Sequence, residues 1–281
     1  MIKSQIELNR NKPFLKWAGN KYRVLPHLLP LVGKPKTFCE PFGGSFSVAL
    51  NIFASRYVLA DINRDLISVY QTLLKDPESF VDACKALFTC ENNSREAYNK
   101  LRNEFNTTDS LERKSHLFIY LNRHCFNGLT RYNSKGSFNV PFGKYARPYF
   151  PEKELRGFAS SFCGKEYTLL STGFEDMALY GNLGEGSVVF FDPPYVPASE
   201  TANFTDYATG GFSFKQQEQL AQLAKLLQAE GIKSIITNSD CDITKALYEG
   251  AKIIPIEVSR TISAKGSSRK KAKEIIAVFE P

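Results

Sequence analysis

The four residues from Asp192 to Tyr195, Asp-Pro-Pro-Tyr, follow an apolar run, Ser187 to Phe191, that is typical of a buried strand. Prolines fix the backbone φ angle and carry no N–H group, so this turn is stiff and offers no competing donor. A carboxylate oxygen of Asp192 and the carbonyl oxygen of Pro193 can accept hydrogen bonds from the two hydrogens of an exocyclic amine. Acceptors already in place stabilise the positive charge that develops when such a nitrogen attacks a methyl group. The pattern predicts amino-methyl transfer, with Asp192, Pro193, Pro194 and Tyr195 as the catalytic residues.

Tyr195 adds an aromatic ring next to these acceptors. Stacking of a nucleic-acid base on such a ring contributes about 1–3 kcal/mol. If the exocyclic amine belongs to a base, we expect the ring to hold that base. The motif alone leaves a structural alternative open, in which the four residues form a rigid turn at a sheet edge.

A second candidate site combines a pair of glycines with an acid. Gly43 and Gly44 follow the apolar run 37–39, and Asp61 follows the next apolar run, 56–60. In α/β proteins a glycine turn lets a nucleoside approach the backbone, and an acid at the next strand end accepts hydrogen bonds from ribose hydroxyls. The pattern is not GxGxxG and no Lys-Ser/Thr follows it, which disfavours a phosphate-binding loop. A simple tight turn is the alternative.

Short apolar runs alternate with helical patterns along much of the chain. Strands are predicted at 37–39, 56–60, 187–191, 232–237, 253–258 and 274–279, and the clearest helix, 215–230, is followed by Gly231 as a stop. This alternation predicts an α/β sheet with helices on both faces. Such sheets bind ligands at the carboxyl ends of their strands, where Asp61 and Asp192 are expected to lie.

Residues 64–151 interrupt this alternation and are predicted to form an inserted domain, mainly helical with a β-hairpin. Asp109 or Ser110 can cap a helix there, and a polar, aromatic and basic segment follows it. The dipeptides Asn127-Gly128 and Lys135-Gly136 are both turn signals, and either could form the tip of the hairpin.

The composition favours an anionic partner over a metal. Lysine and arginine exceed aspartate and glutamate by 36 to 29, a net charge of +7. Basic residues cluster in the insertion (Arg123, Arg131, Lys135, Lys144 and Arg147) and near the end of the chain (Arg260, Lys265, Arg269, Lys270, Lys271 and Lys273). Either cluster alone could be a solvated charged face, but the two together predict phosphate contacts. The six cysteines show no CxxC spacing and only three histidines are present, so no metal site is expected.

No apolar signal segment or membrane-spanning run is found, so a cytoplasmic protein is expected.

Eight segments, in chain order, resemble the Dam-type DNA adenine methyltransferases. They are FLKWAGNK (14–21), EPFGGS (40–45), LADIN (59–63), YLNRHCFNGLTRYN (120–133), FNVPFG (138–143), FFDPPY (190–195), TANFTDY (201–207) and SRTISAKGSSRKK (259–271). DPPY also occurs in enzymes that methylate other amino nitrogens, whereas the NGLTRYN, FNVPFG and TANFT segments are far more specific to this family.

The resemblance implies transfer of a methyl group from S-adenosylmethionine to adenine N6 within GATC of double-stranded DNA. It also implies a Rossmann-like methyltransferase sheet formed by the discontinuous catalytic domain 1–63 and 152–281, with 64–151 as the target-recognition domain. We expect a monomer on DNA, without a metal or a membrane partner.

The resemblance also assigns residues to the methyl donor. The implied set is Trp17, Lys21, Glu40, Phe42, Gly43, Gly44, Ser45, Asp61, Ile62, Phe174 and Asp192. Phe174 is expected to flank the adenine of the donor, and Asp192 to contact the target amine as well.

The residues implied for DNA are Lys16, Arg123, Phe126, Asn127, Leu129, Arg131, Asn139, Pro141, Phe204, Arg260, Arg269 and Lys270. Arg131 is expected to read guanine, because a guanidinium can bond O6 and N7 together. Leu129 and Pro141 can contact a thymine methyl group, and Lys16 is expected near the first base pair. The target adenine must be flipped out of the duplex, with Phe126 filling the vacated stack and Phe204 forming a wall for the base.

Two positions depart from the family pattern. Phe46 stands where members often have a glycine, and Phe126 stands where a tyrosine is common.

Two further hypotheses remain: a cytosine-N4 or RNA amino-methyltransferase, and a DNA-binding protein of the same fold that does not catalyse. The intact DPPY motif argues against the second.

Overall fold

Seven β-strands form one sheet in the computed structural model, which describes residues 10–176, 180–181, 183–197, 211–259 and 271–281. The strands are β1 (Thr37–Glu40), β2 (Arg56–Ala60), β3 (Glu166–Leu170), β4 (Ser187–Phe191), β5 (Lys233–Ser239), β6 (Lys252–Ser259) and β7 (Lys271–Phe279). Their order across the sheet is β3-β2-β1-β4-β5-β7-β6. Together with the helices between them, the strands confirm the predicted α/β class.

The apolar runs predict six of these strands and miss β3. Every residue of β1 and β4 is buried, which explains their continuous apolar sequences, because parallel strands are usually covered on both faces. The residues of β3 are exposed or half-buried. An edge strand of this kind carries no continuous apolar signal.

The middle of the sheet is parallel and one side is antiparallel. β1 pairs with β4, and β4 with β5, in parallel register, while β7 is antiparallel to both β5 and β6. The carboxyl ends of β1, β4 and β5 therefore lie at the same edge. Asp192 directly follows β4 and so lies at this edge, as predicted.

The α-helices among the described residues are α1 (Leu25–Val32), α2 (Arg64–Lys75), α3 (Pro77–Lys85), α4 (Arg95–Thr107), α5 (Leu111–His124), α6 (Glu152–Phe162), α7 (Phe214–Ala229) and α8 (Asp242–Leu247). Five of them have a side-chain N-cap, at Asn63, Asp76, Ser94, Ser110 and Ser213, each typically worth about 1 kcal/mol. Ser110 is one of the two caps expected for α5. α7 matches the predicted helix at 215–230, and Gly231 follows it with a φ of +76°.

The chain divides into two compact units. Within the described residues the first unit comprises 10–26, Gly43–Asn51 and Leu59–Thr172, and the second comprises His27–Phe42, Ile52–Val58 and the residues that follow Gly173. These units are defined by packing and not by function. The division into catalytic and target-recognition domains therefore stays a prediction.

An antiparallel loop follows α5 in the first unit, and we call residues 125–143 the 125–143 loop. Cys125 is bridged to Phe142 and Tyr132 to Phe138. The tip lies at Lys135-Gly136, where the Asn133 N–H donates to the Ser137 carbonyl at 2.9 Å. Asn127-Gly128 instead lie in a short 3₁₀ turn directly after α5. Of the two predicted tips, the second is the one observed.

Candidate functional site

The first unit holds the predicted pair of glycines and the strand-end acid together. The Gly44 N–H donates to Asp61 Oδ2 at 2.9 Å, and the Asn63 N–H donates to Asp61 Oδ1 at 2.8 Å. The Tyr70 hydroxyl donates to the Gly44 carbonyl at 2.9 Å. The carboxylate is thus oriented by two backbone donors, and the loop is held from its other side.

Both glycines are required by close packing. A Cβ at Gly44 would lie 2.4 Å from Trp17 Nε1, and its φ is +49°. A Cβ at Gly43 would lie 1.9 Å from the Phe46 ring. These contacts explain why residues 43 and 44 cannot carry side chains, and they place Trp17 against the loop.

Phe46, the first departure from the family pattern, adopts a φ of 48°. That value lies in the left-handed region that favours glycine. Its ring is fully buried and packs on Tyr70 with centroids 4.7 Å apart. Burial of its ring therefore keeps Phe46 in a backbone conformation that glycine adopts more easily.

Asp61 has an electrostatically unusual carboxyl group. Burial raises its pKa above the ordinary value of 3.8, while the hydrogen bonds from the Asn63 and Gly44 N–H groups act in the opposite direction. The ionised carboxylate keeps lone pairs for further donors, because each oxygen can accept two hydrogen bonds. Neighbouring hydroxyls of a nucleoside are suitable donors for it.

Other residues predicted to contact the donor lie in varied surroundings. Lys21 is buried, and its Nζ donates to the Gly19 carbonyl at 2.7 Å. The Ser45 and Ser47 hydroxyls share a hydrogen bond of 2.9 Å. Ile62 is 80% exposed and presents an apolar surface next to Asp61, whereas Glu40, the last residue of β1, is buried.

The second unit contains the Asp192 turn. The Thr237 hydroxyl, from β5, donates to Asp192 Oδ1 at 2.7 Å. Thr237 itself is fully buried, so the sheet fixes the position of this hydrogen-bond donor. The contact orients the carboxylate, because it fixes the position of one of its two oxygens.

The remaining residues of the turn are held by a buried polar network. The Pro194 carbonyl accepts a hydrogen bond from Gln217 Nε2 at 2.8 Å. Asn238 Oδ1 accepts from the Val196 N–H at 2.9 Å, and its amide donates to Gln217 Oε1 at 3.2 Å. Both amide side chains are fully buried, so the backbone after Asp192 is anchored on two sides.

Tyr195 is tied to β7 in this structure. Its hydroxyl donates to Glu274 Oε2 at 3.1 Å. Burial is the main cause that raises its pKa well above 10, and the negative charges of Asp192 and Glu274 act in the same direction. The phenol is therefore neutral at physiological pH and serves as a ring and a donor.

Phe174 lies in an aromatic cluster of the second unit. Its ring stacks on Phe42 with centroids 5.5 Å apart, and Phe212 lies at the same distance. Phe191 contacts Phe42 edge-on at 6.4 Å. Only 2% of Phe174 is exposed, whereas Phe42 is half-buried.

The 125–143 loop presents most of the residues predicted to bind DNA. Phe126 is 50% exposed, and Asn127, Arg131 and Pro141 are exposed, while Leu129 and Asn139 are half-buried. Arg131 Nε donates to Asn139 Oδ1 at 2.8 Å. The two residues therefore form one oriented unit on the loop.

Arg123 differs from these residues because it is buried. It is 8% exposed, and its guanidinium donates to the Phe14 carbonyl and lies over the Tyr149 ring. Burial lowers its pKa to about 10. In the structure this side chain supports the segment that leads to Lys16 and Trp17, and its DNA contact stays a prediction.

Lys16 lies against the 125–143 loop. Its Nζ lies 4.4 Å from the centroid of the Tyr145 ring. Burial is the main cause that lowers the pKa of Lys16, with Arg123 acting in the same direction. Four residues predicted to bind DNA, Phe204, Arg260, Arg269 and Lys270, lie outside the described residues.

Several supporting residues were not found from the sequence. Thr237, Gln217 and Asn238 hold the Asp192 turn, and Asn122 holds Lys16, but single polar residues in apolar runs carry no pattern that would identify them. A signal does exist in α4, where Tyr98, Arg102 and Asn106 recur every four residues. All three donate to carbonyls of the 125–143 loop, those of Val140 and Phe138.

In the part of the chain that the structure describes, there is no cluster of three or more His, Cys, Asp or Glu side chains able to hold a metal ion. No described helix combines the length and the apolar character needed to cross a membrane.

Comparison with known proteins agrees with the resemblance seen in the motifs. Residues 17–262 match the family described as D12 class N6 adenine-specific DNA methyltransferase. The chain is 44% identical over 274 residues to the DNA adenine methylase of Salmonella typhi, covering 98% of this chain and 97% of that protein. Over 274 residues it is 43% identical to the DNA adenine methylase of Escherichia coli (strain K12), with the same coverage of 98% and 97%. Over 275 residues it is 42% identical to that of Vibrio cholerae serotype O1 (strain O395), covering 98% of both chains.

Proposed function

Because the chain belongs to the D12 class of N6 adenine-specific DNA methyltransferases, we propose that it methylates adenine N6 within GATC of double-stranded DNA, with S-adenosylmethionine as the methyl donor. The observation that supports this proposal most strongly is the Asp192 turn. A carboxylate is held there by the buried Thr237 hydroxyl at 2.7 Å, directly after a fully buried strand.

Asp192 and Pro193 are the acceptors for the target amine. The lone pair of adenine N6 is conjugated with the ring, so the nitrogen is a poor nucleophile until its two hydrogens are held out of the ring plane. Two oxygens that are already oriented do this without reorganisation at the moment of reaction. They also stabilise the positive charge on the nitrogen until it loses a proton. Tyr195 stacks on the base.

The residues of the first unit suit a nucleoside donor. Asp61 accepts hydrogen bonds from the ribose hydroxyls, and the bare Cα atoms of Gly43 and Gly44 let the ligand approach the backbone. The Trp17 ring at Gly44 and the exposed Ile62 offer apolar contacts. When bound, S-adenosylmethionine supplies an activated methyl group on its sulfonium. Lys21 and Ser45 are the other members of the proposed methyl-donor set in this unit. The members in the second unit are Glu40, Phe42, Phe174 and Asp192.

The 125–143 loop reads the DNA in this proposal. An exposed ring at Phe126 can fill the gap that the flipped adenine leaves, at a flipping cost of a few kcal/mol. Arg131, oriented by Asn139, bonds guanine, while Leu129 and Pro141 contact the thymine methyl group. The choice of GATC rests on these residues and their motif context.

The proposed domain roles, oligomeric state and location follow from the family resemblance. Residues 64–151 act as the target-recognition domain, and 1–63 with 152–281 act as the catalytic domain. The enzyme works as a monomer on DNA in the cytoplasm. The proposed set of DNA contacts is completed by Lys16, Arg123, Asn127, Phe204, Arg260, Arg269 and Lys270.

The direct test is methyl transfer to short duplexes in vitro. Purified protein and S-adenosylmethionine are incubated with a GATC duplex, a duplex with one base pair of the site changed, a fully N6-methylated GATC duplex and an RNA of the same sequence. We expect N6-methyladenine, measured by mass spectrometry of the nucleosides, only with unmethylated GATC. N4-methylcytosine, or transfer to the RNA, would show that the substrate assignment is wrong.

A further inference from the structure

One buried side chain holds the backbone of Lys16 by both of its polar groups. The Lys16 N–H donates to Asn122 Oδ1 at 2.9 Å, and Asn122 Nδ2 donates to the Lys16 carbonyl at 2.8 Å. Asn122 is 2% exposed and belongs to the last turn of α5. Because two hydrogen bonds to one residue fix both its position and its orientation, Asn122 sets where this segment lies.

On one side the fixed segment leads to the proposed donor site. Trp17 follows Lys16 directly, and its ring packs so closely on Gly44 that a Cβ there would lie 2.4 Å from the indole nitrogen. Gly44 in turn donates to Asp61 at 2.9 Å. A shift of the Lys16 backbone therefore moves Trp17 against the glycine loop that orients Asp61, the proposed ribose acceptor.

On the other side the same segment supports the 125–143 loop. A Cβ at Gly128 would lie 2.5 Å from Lys16 Cβ, and Asn122 Nδ2 also reaches the Gly128 carbonyl at 3.4 Å. The Tyr145 ring lies below Lys16 Nζ, and its hydroxyl accepts a hydrogen bond from the Asn127 N–H at 2.9 Å. Lys16 is thus part of the surface proposed to meet DNA.

We propose that Asn122 is a positioning residue that holds one backbone segment ready for two ligands, the methyl donor at Trp17 and DNA at Lys16 and the 125–143 loop. This inference rests on the proposed function. If the segment is in place only a fraction of the time, the affinity for either ligand alone falls by that fraction. The first ligand to bind then orders the segment, so the second ligand binds with its full affinity.

The test uses titrations of the full chain with S-adenosylhomocysteine, which carries no methyl group to transfer, and with a GATC duplex. Trp17 is the only tryptophan, so its fluorescence reports donor-site binding directly. If loss of the clamp leaves the segment in place about a tenth of the time, Asn122→Ala binds each ligand alone about tenfold more weakly. In the presence of saturating S-adenosylhomocysteine, its DNA affinity returns to within about twofold of the wild type.

The chain offers a matched control at Asn51. Its side chain holds Asn11 by the same pair of hydrogen bonds, with Asn11 N–H to Oδ1 at 2.8 Å and Nδ2 to the Asn11 carbonyl at 2.9 Å. Asn51→Ala therefore loses the same pair of hydrogen bonds at an earlier and more exposed part of the segment, together with the bond from Asn51 Nδ2 to the Ser47 carbonyl at 2.8 Å. We expect both affinities of this variant to stay within about twofold of the wild type.

A second variant protects the test if Asn122→Ala does not fold, which thermal melting will show. Gly128→Ala introduces the Cβ that overlaps Lys16, and it should weaken S-adenosylhomocysteine binding although residue 128 lies in the 125–143 loop and outside the proposed methyl-donor set. In Asn122→Ala, a loss of DNA affinity that persists after S-adenosylhomocysteine saturation, or a loss that affects one ligand only, would overturn the inference. Unchanged affinities would overturn it too. If the wild type binds neither ligand, the proposed function itself is wrong.

Discussion

At the scale of single residues, the proposed chemistry depends on two carboxylates whose surroundings differ. Asp192 is oriented by a hydroxyl, Thr237, from a buried strand, while Asp61 is oriented by two backbone N–H groups. The position of each acid directly after a strand could be predicted from the sequence, because each follows an apolar run, while the roles of the two acids stay a prediction. Thr237 could not be predicted, because its role depends on the register of two strands that are about 45 residues apart in the chain.

Removing the Thr237 hydroxyl should slow the chemical step. Thr237→Val keeps the shape of the side chain but leaves Asp192 Oδ1 without this donor. A hydrogen bond to a charged group is worth about 1.5–3 kcal/mol, so we expect kcat to fall roughly 10- to 100-fold while DNA affinity stays nearly unchanged. Single-turnover methyl transfer measures this. Thr72→Val deletes another threonine hydrogen bond of 2.7 Å, to the Ser68 carbonyl, and an equal effect in that control would contradict the prediction.

The raised pKa of Asp61 predicts that donor affinity depends on pH. The ribose hydroxyls need the ionised carboxylate as acceptor, and burial makes this group take up a proton at a pH above its ordinary pKa of 3.8. Affinity for S-adenosylmethionine should therefore be full above the raised pKa and decline as the pH falls through it. Calorimetric titration at a series of pH values descending from neutral measures the decline.

Asp61→Asn provides the control for this pH effect. The variant should bind about 10- to 100-fold more weakly at neutral pH, because a hydrogen bond to a charged group is lost, and its affinity should not change over the same pH range. An identical pH profile in wild type and variant would show that another group is responsible.

At the scale of elements, side chains on helices hold loops that lie elsewhere in the chain. Three side chains of α4, spaced by four residues, hold the 125–143 loop, and α5 delivers Asn122 to Lys16. The apolar patterns predict most strands and the helix α7. They do not choose between Asn127-Gly128 and Lys135-Gly136 as the tip, because that choice depends on the packing of Gly128 against Lys16, 112 residues earlier in the chain by their numbering.

The glycine turn after β1 provides an element-scale prediction. Gly44→Ala would push a Cβ to 2.4 Å from Trp17 Nε1, and the ring must move. We expect donor affinity to fall at least about tenfold, the loss expected when a closely packed binding surface costs about 1.4 kcal/mol to rebuild. Gly231→Ala has a similar positive φ of +76° but open space around it. This control should lose stability in thermal melting and keep its donor affinity, whereas equal donor losses would count against the packing argument.

The 125–143 loop gives a second prediction at this scale. Arg131→Ala should reduce discrimination for guanine by about 1–3 kcal/mol, measured as the ratio of kcat/KM values for GATC and for a duplex with that guanine replaced. Asn139→Ala should cause a smaller loss of the same kind, because Arg131 stays but loses the partner that orients it at 2.8 Å. Equal weakening on all sequences would instead mark Arg131 as a phosphate contact.

At the scale of the whole molecule, the chain is basic and divides into two compact units. The net charge of +7 favours a polyanionic partner and says nothing about sequence. The segments that form each unit are discontinuous in the chain. Local patterns find the strands within a unit, but the assembly of distant segments depends on long-range packing, which no short stretch of sequence encodes.

The most direct measurement is sequencing of modified bases in the DNA of cells that lack their own GATC methylation and express this protein. We predict N6-methyladenine at nearly every GATC with the wild type, and none with Asp192→Ala, whose purified form should still bind a GATC duplex. Methylation of another base or of another sequence, or undiminished methylation by Asp192→Ala, would contradict the account.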